Sequence, residues 1–338
     1  MSREASHISE DIKKLHLSSA IESKNLEEFT IHLRSLTQEE LESIRYAPSE
    51  SVLHKIISSG SDEMIDIFIE YASSFQNIAR LINTPNAVGL TSLHYCIICK
   101  NSPPILSKLV SQGGDLTAKT TALHTPINYA IHFGKYDFFE TAISLLDQEN
   151  VRILLSDRDR AGLTVLHHSW CSDDGLKIAL KLIEMKADIE ARDNTGKTPL
   201  FYSLCQPELT KKLIESGASF EARDETEQTI LHLAFRNGLP YFNKKIVEFI
   251  LSSMRTKEKE SLLDEVDYAT RKTLRELFAI RNLELSLSEE LDKMHTHQDS
   301  EGADDSYDSC SVAGCDADFA FLSSASAADP HLLGHGHS

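Results

Sequence analysis

KLIEMKADIEARDNTGKTPLF, Lys181 to Phe201, nearly recurs 31 residues later as KLIESGASFEARDETEQTILH, Lys212 to His232. A unit of about 33 residues cannot enclose a core alone, so it has to stack on its neighbours. The core phrase is a threonine, any residue, Leu or Ile, a His-like residue, any residue, then a small one. It appears upstream as Thr91-Ser92-Leu93-His94-Tyr95-Cys96 and Thr125-Pro126-Ile127-Asn128-Tyr129-Ala130. It continues as Thr164-Val165-Leu166-His167-His168-Ser169, Thr198-Pro199-Leu200-Phe201-Tyr202-Ser203 and Thr229-Ile230-Leu231-His232-Leu233-Ala234. The threonines lie 34, 39, 34 and 31 residues apart. The sixth position is small in every copy, as closely crossing helices require.

An amphipathic second segment follows each phrase, with apolar residues three and four apart, as in Ile178, Leu182 and Ile183. Short polar stretches such as Asp193-Asn194-Thr195-Gly196 read as tight turns. One unit is therefore a helix, a turn, an antiparallel helix and a protruding turn. This resembles the ankyrin repeat. The resemblance rests on the T-x-L-H phrases, on Gly89, Gly162 and Gly196 in the hairpins, on Gly134 and Gly238 closing first helices, and on the run ending at Asp193. It implies an all-α ankyrin-repeat solenoid of helix-turn-helix repeats with short hairpins. It also makes the five threonines, with His94, His167 and His232, scaffold residues. Some copies depart from the pattern. Asn128 and Phe201 stand at the His position, Leu123 and Glu227 at the hairpin Gly position, and Trp170 where the family usually has a small residue. An insertion lengthens the unit between Phe138 and Asp159.

The expected organisation is a flexible start over 1–11, an array over 12–287 and an acidic, Ser- and His-rich disordered tail over 288–338. Full copies fall near 86–254, with degenerate capping units over 12–85 and 255–287. Within the first capping unit, Ser51-Val52-Leu53-His54 reads as an upstream copy, and Thr37 to Glu40 as a capping box. The formal charge of −18 is uneven: from Leu285 onward eleven acids face only Lys293. So polar a tail cannot bury enough surface to offset its ordering entropy. Acidity also argues against nucleic acid, whose binding is driven by phosphate neutralisation. No stretch is long and apolar enough for membrane insertion. No signal peptide is evident and the six cysteines read as free thiols, so an intracellular, cytoplasmic setting is expected.

The chemistry-bearing constellations have structural readings. Cys96 and Cys99 form C-x-x-C, but Cys96 holds the small core position, which favours burial over redox or metal chemistry. His167 and Cys171 lie one helical turn apart, the spacing of a nucleophile and base; a cysteine hydrolase is the weaker alternative. No group is evident to orient them. The tail histidines with Cys310 and Cys315 lack the fixed geometry of a metal site. The expectation is no enzyme, no cofactor and no metal.

Ankyrin repeats generally bind proteins through hairpin tips and the exposed ends of first helices. Carried onto this chain, that implies Val88, Leu90, Ile98, His132 and Phe133 in the first two copies. The third gives Arg158, Arg160 and Leu163, the fourth Arg192, Asn194, Lys197 and Gln206, and the fifth Arg223, Glu225 and Arg236. The expected surface is a concave face with an apolar end and a basic end. Its partner would be a protein with acidic and apolar anchor residues, since Arg suits carboxylates. Degenerate repeats with a polar acidic tail also resemble ankyrin effectors that intracellular bacteria secrete into host cells. The alternative is a cytosolic eukaryotic adaptor or inhibitor.

Overall fold

The structure, a computed structural model, describes residues 2–46, 49–99, 101–170, 174–236, 244–254, 256–267 and 271–280. The backbone alone is described at 2–10, 205, 236, 244 and 256–258. The tail expected over 288–338, together with Cys171 and Gly238, lies outside these residues. The described residues are helical. Pairing between extended segments is confined, among them, to two isolated bridges, Tyr46 with Glu50 and Val266 with Thr273. No helix among them is long and apolar enough to cross a membrane.

The chain divides into two compact units at Leu154/Leu155. The first opens with α1 (Ser2–Glu22) and α2 (Leu26–Arg34), followed by α3 (Gln38–Ser43). Helix α1 includes residues 2–11, which were expected to be a flexible start. Its apolar residues Leu17, Ala20 and Ile21 are buried with Phe29 and Leu33 of α2. Helix α3 starts where the Thr37–Glu40 signal predicts, with each side chain taking the other's backbone N–H.

Helix pairs then follow: α4 (Val52–Ser58) with α5 (Asp62–Ala72), and, after the short α6 (Ile78–Ile82), α7 (Ser92–Tyr95) with α8 (Ser102–Ser111). The next pair is α9 (Pro126–His132) with α10 (Tyr136–Leu145). First helices stack on first helices (α4, α7, α9), and second on second (α5, α8, α10), giving two layers. The insertion after Phe138 is an extra helix, α11 (Gln148–Ser156), inside which the unit boundary falls.

The second unit repeats the scheme. Its first helices are α12 (Val165–His168), α14 (Pro199–Tyr202) and α16 (Ile230–Arg236); its second helices are α13 (Gly175–Glu184), α15 (Pro207–Glu215) and α17 (Lys244–Ser253). Here too α12, α14 and α16 stack in one row and α13, α15 and α17 in the other. Helix α18 (Thr256–Leu263) precedes a last hairpin. The small sixth position is where the rows touch. Cys96, Ala130, Ser169, Ser203 and Ala234 are at most 2 % exposed. Large apolar residues fill the space between layers, among them Phe138, Phe139 and Phe235. Full burial of each contributes roughly 2–3 kcal/mol.

Candidate protein-interaction surface

Where the phrase keeps both its threonine and its histidine, that pair ties the start of the first helix. In the third copy the N–H and Oγ–H of Thr164 donate to Nδ1 of His167, at 3.0 and 2.9 Å. The other ring nitrogen lies 3.2 Å from the carbonyl of Lys197, in the next copy. A carbonyl can only accept, so the proton sits on Nε2 and Nδ1 is the acceptor. His94 does the same between Thr91 and the carbonyl of His124, and His54 between Ser51 and that of Leu90. The bridged carbonyl always belongs to the residue just before the next threonine. Burial pushes these imidazoles down, to about 4 for His54, about 3 for His94 and about 4 for His167, so they are neutral. His232 keeps its Thr229 bond, is also lowered by burial, and lies 4.0 Å from the carboxylate of Glu265. The departures have consequences. Asn128 still bonds to Thr125, but Phe201 cannot, and Oγ1 of Thr198 is buried without a hydrogen bond.

The hairpins between copies are closed by a second recurring device. Asp159, Asp193 and Asp224 each accept, on one oxygen, two backbone N–H groups of their own loop. The second oxygen of Asp159 takes His168 Nε2 at 2.9 Å, and that of Asp193 takes the Tyr202 hydroxyl. Asn86 also meets the Tyr95 hydroxyl, again nine residues on, but there the amide nitrogen donates to the hydroxyl oxygen. Burial alone would raise the Asp193 pKa, but these hydrogen bonds together hold it below the usual carboxylate value. Glycine at the fourth loop position is required at Gly196, where φ is +79° and a Cβ would meet the Glu225 nitrogen at 2.9 Å. Leu123 and Glu227 adopt the same left-handed conformation, at φ 71° and 60°, without that freedom.

Consecutive hairpins are then joined backbone to backbone. Asn194 N–H donates to Ala161 O, and Glu225 N–H to Thr195 O, both at 2.9 Å; Thr121 N–H donates to Val88 O at 3.0 Å. An arginine ladder runs beside this ribbon. Arg158 donates to Gly162 O in its own loop and to Arg192 O in the next. Arg192 repeats this with Gly196 O and Arg223 O. Arg223 bonds to Glu227 O and ends the ladder on both carboxylate oxygens of Glu265, at 2.8 and 3.0 Å.

Residues 169–261 match the family model described as ankyrin repeats, in three copies. These residues are ankyrin repeats. The same capping and hairpin geometry extends upstream of the match, to the copies beginning at Thr91, Thr125 and Thr164. No curated protein matches the chain.

The ankyrin geometry sorts the residues expected to meet a partner. Leu90 and Leu163 do not belong on the surface: they are 0 % and 8 % exposed at the bases of their hairpins. Val88, Ile98, His132 and Phe133 are partly exposed in the first unit. Arg158 and Arg192 are exposed, yet their guanidinium groups are spent on the ladder, and Arg223 is held by Glu265. Arg160, Asn194 and Glu225 are exposed at the ankyrin tips, and Lys197 and Gln206 are partly so. The Arg236 side chain, with Ser172 and Asn237, lies outside the description. Both nitrogens of His167 are engaged by the scaffold, and Cys171 lies outside the described residues. Cys96 and Cys99 are buried free thiols, and burial raises both, Cys99 to about 12.

Two features were not read from the sequence. One is the fifth position of the phrase, Tyr95, His168 and Tyr202, whose polar tips hold the hairpin Asx residue; the recurring nine-residue spacing was the available signal. The other is the 41 % exposure of Leu123 at its hairpin tip; its left-handed conformation was expected from its place at the hairpin Gly position.

Proposed function

We propose that this protein acts by binding a partner protein through its hairpin tips and first-helix ends, with no chemistry of its own. Ankyrin repeats generally mediate protein–protein interaction. The observation that carries the proposal here is the hydrogen-bonded ribbon of hairpins, Ala161 to Asn194 and Thr195 to Glu225. A surface fixed before binding loses little conformational entropy on association. On the second unit the contact residues are Arg160, Asn194, Lys197, Gln206 and Glu225, with Arg236 at the end of α16. On the first unit they are Val88, Ile98, His132 and Phe133. The partner carries acidic and apolar anchor residues, because Arg160 and Lys197 offer cationic side chains on one unit and Val88 and Ile98 apolar ones on the other.

A photo-crosslinking residue placed at Arg160 or Lys197 of the full chain is expected to capture one and the same protein in cells. Placed at the exposed Lys211 of α15, it should not. Capture from Lys211 alone contradicts the proposal. A role as a bacterial effector acting on a host protein rests on the composition of residues 288–338. A translocation reporter fused with and without that segment tests it, and equal delivery of both contradicts it.

A further inference from the structure

We propose that the surface shared by the third and fourth copies receives a protein segment in which one bulky apolar residue is flanked by carboxylates. Trp170 is its apolar contact, and Arg160 and Lys197 are its charge contacts. This rests on the protein-binding reading above and names the partner chemistry for one part of that surface.

Trp170 is anomalous for its place. The seventh position of the phrase holds Ile97, Ile131, Leu204 and Phe235 in the other copies, and these are 1, 0, 8 and 0 % exposed. Trp170, the only tryptophan in the chain, fills the same position but stays partly exposed. An indole at the rim of a binding scaffold, unlike a buried one, contributes little to the core. It is the side-chain type most enriched at the energetic centres of protein interfaces. Departures from a local rule without a packing gain concentrate at functional positions.

A chain of hydrogen bonds to backbone carbonyls links the loops that carry the cations to the helix end that carries Trp170. The Asn194 side chain donates to Arg160 O at 2.9 Å, so the two tips are adjacent. Lys197 belongs to the same loop as Asn194, and its carbonyl accepts from His167, three residues before Trp170. The Trp170 carbonyl is in turn held by the Gln206 side chain at 2.8 Å, which fixes this first-helix end against the next. The acids of these loops do not offset the cations outwardly. Asp159 and Asp193 are each 8 % exposed and engaged by their own loops and by His168 and Tyr202. The side chains of Arg160 and Lys197 make no hydrogen bond or ion pair among the described residues. The third and fourth copies thus present two cations without ion-pair partners among the described residues and one partly exposed indole, on a chain of formal charge −18. Local charge complementarity selects carboxylates, and the exposed indole selects an apolar neighbour. The overall negative charge disfavours an extended polyanion such as nucleic acid.

With a single tryptophan, the emission of the full-length protein reports this position directly. We would titrate it with the synthetic peptide EDEFDELE. The expected result is a saturable shift to shorter wavelength, lost when the peptide phenylalanine is replaced by alanine. Reversing both cations, Arg160→Glu with Lys197→Glu, should weaken binding by roughly tenfold or more, about 1.4 kcal/mol. Circular dichroism checks that this variant remains folded. Trp170→Phe, followed by anisotropy of the labelled peptide, should also weaken binding. No shift with EDEFDELE overturns the proposal, as does an equal shift with KKKFKKLK or with a single-stranded oligonucleotide. A shift that depends on protein concentration without peptide also overturns it, in favour of a second copy as occupant. If the emission stays unchanged while photo-crosslinking at Arg160 and Lys197 still captures a partner, only this inference fails. Loss of that capture removes the broader reading.

Discussion

At the scale of single residues, the threonine–histidine pair does more than mark the repeat. Each buried imidazole caps its own helix and bridges to the next copy, so one side chain serves both local and long-range order. Phe201 is a natural deletion of this device. Phe201→His is expected to restore the bond to Thr198 and to add one to the carbonyl of Gln228, the residue just before Thr229. A buried polar group regaining its partner contributes about 1–3 kcal/mol, and the loss of phenyl packing offsets part of that. We expect a net gain of about 1 kcal/mol in urea-unfolding stability; a destabilised variant would show that these bridges are incidental. The scaffold role of the threonines and histidines was legible in the sequence because their spacing is regular. The burial of Leu90 and Leu163 was not, because a residue just before a cap can face either way until the loop's hydrogen bonds fix it.

At the scale of helices and hairpins, the recurring bridges couple stability to pH. The folded values of His54, His94 and His167, about 4, 3 and 4, lie below the ordinary 6.5. Groups depressed on folding stabilise the native state fully above their unfolded pKa, and that contribution is lost as pH falls toward the folded value. Stability should therefore decline between about pH 6.5 and pH 4, by up to roughly 1.4 kcal/mol per pH unit for each imidazole. Urea midpoints measured at pH 7.5, 6.5, 5.5 and 4.5 test this, and the decline should shrink in His94→Asn, which keeps the cap as Asn128 does. A flat profile, or an unchanged slope in the variant, contradicts it. The hairpins show where sequence reading stops. Arg158, Arg192 and Arg223 were expected to form a basic recognition surface, yet the guanidinium groups of Arg158 and Arg192 bond to carbonyls one copy away and that of Arg223 to the Glu265 carboxylate. Nothing in composition separates an arginine that faces a partner from one that braces its neighbour; only the register of successive loops does.

At the scale of the molecule, both units use the same two-layer stacking of helix pairs. Alternation of buried and exposed positions within a period near 33 residues made that architecture readable before any coordinates. The extra helix α11 and the division of the chain within it were not, because an insertion carries no echo of the repeat. What the repeats deliver to function is a set of loops whose tips face solvent while their backbones are locked to one another. Residue-resolved amide hydrogen exchange is the most direct test. Asn194 and Glu225 sit at exposed tips, yet each N–H is bonded to the preceding hairpin. Both amides should exchange as slowly as those within α13 and α15. Exchange at the rate of an unstructured loop would contradict a fixed ribbon of hairpins, and with it the platform on which recognition is proposed to rest.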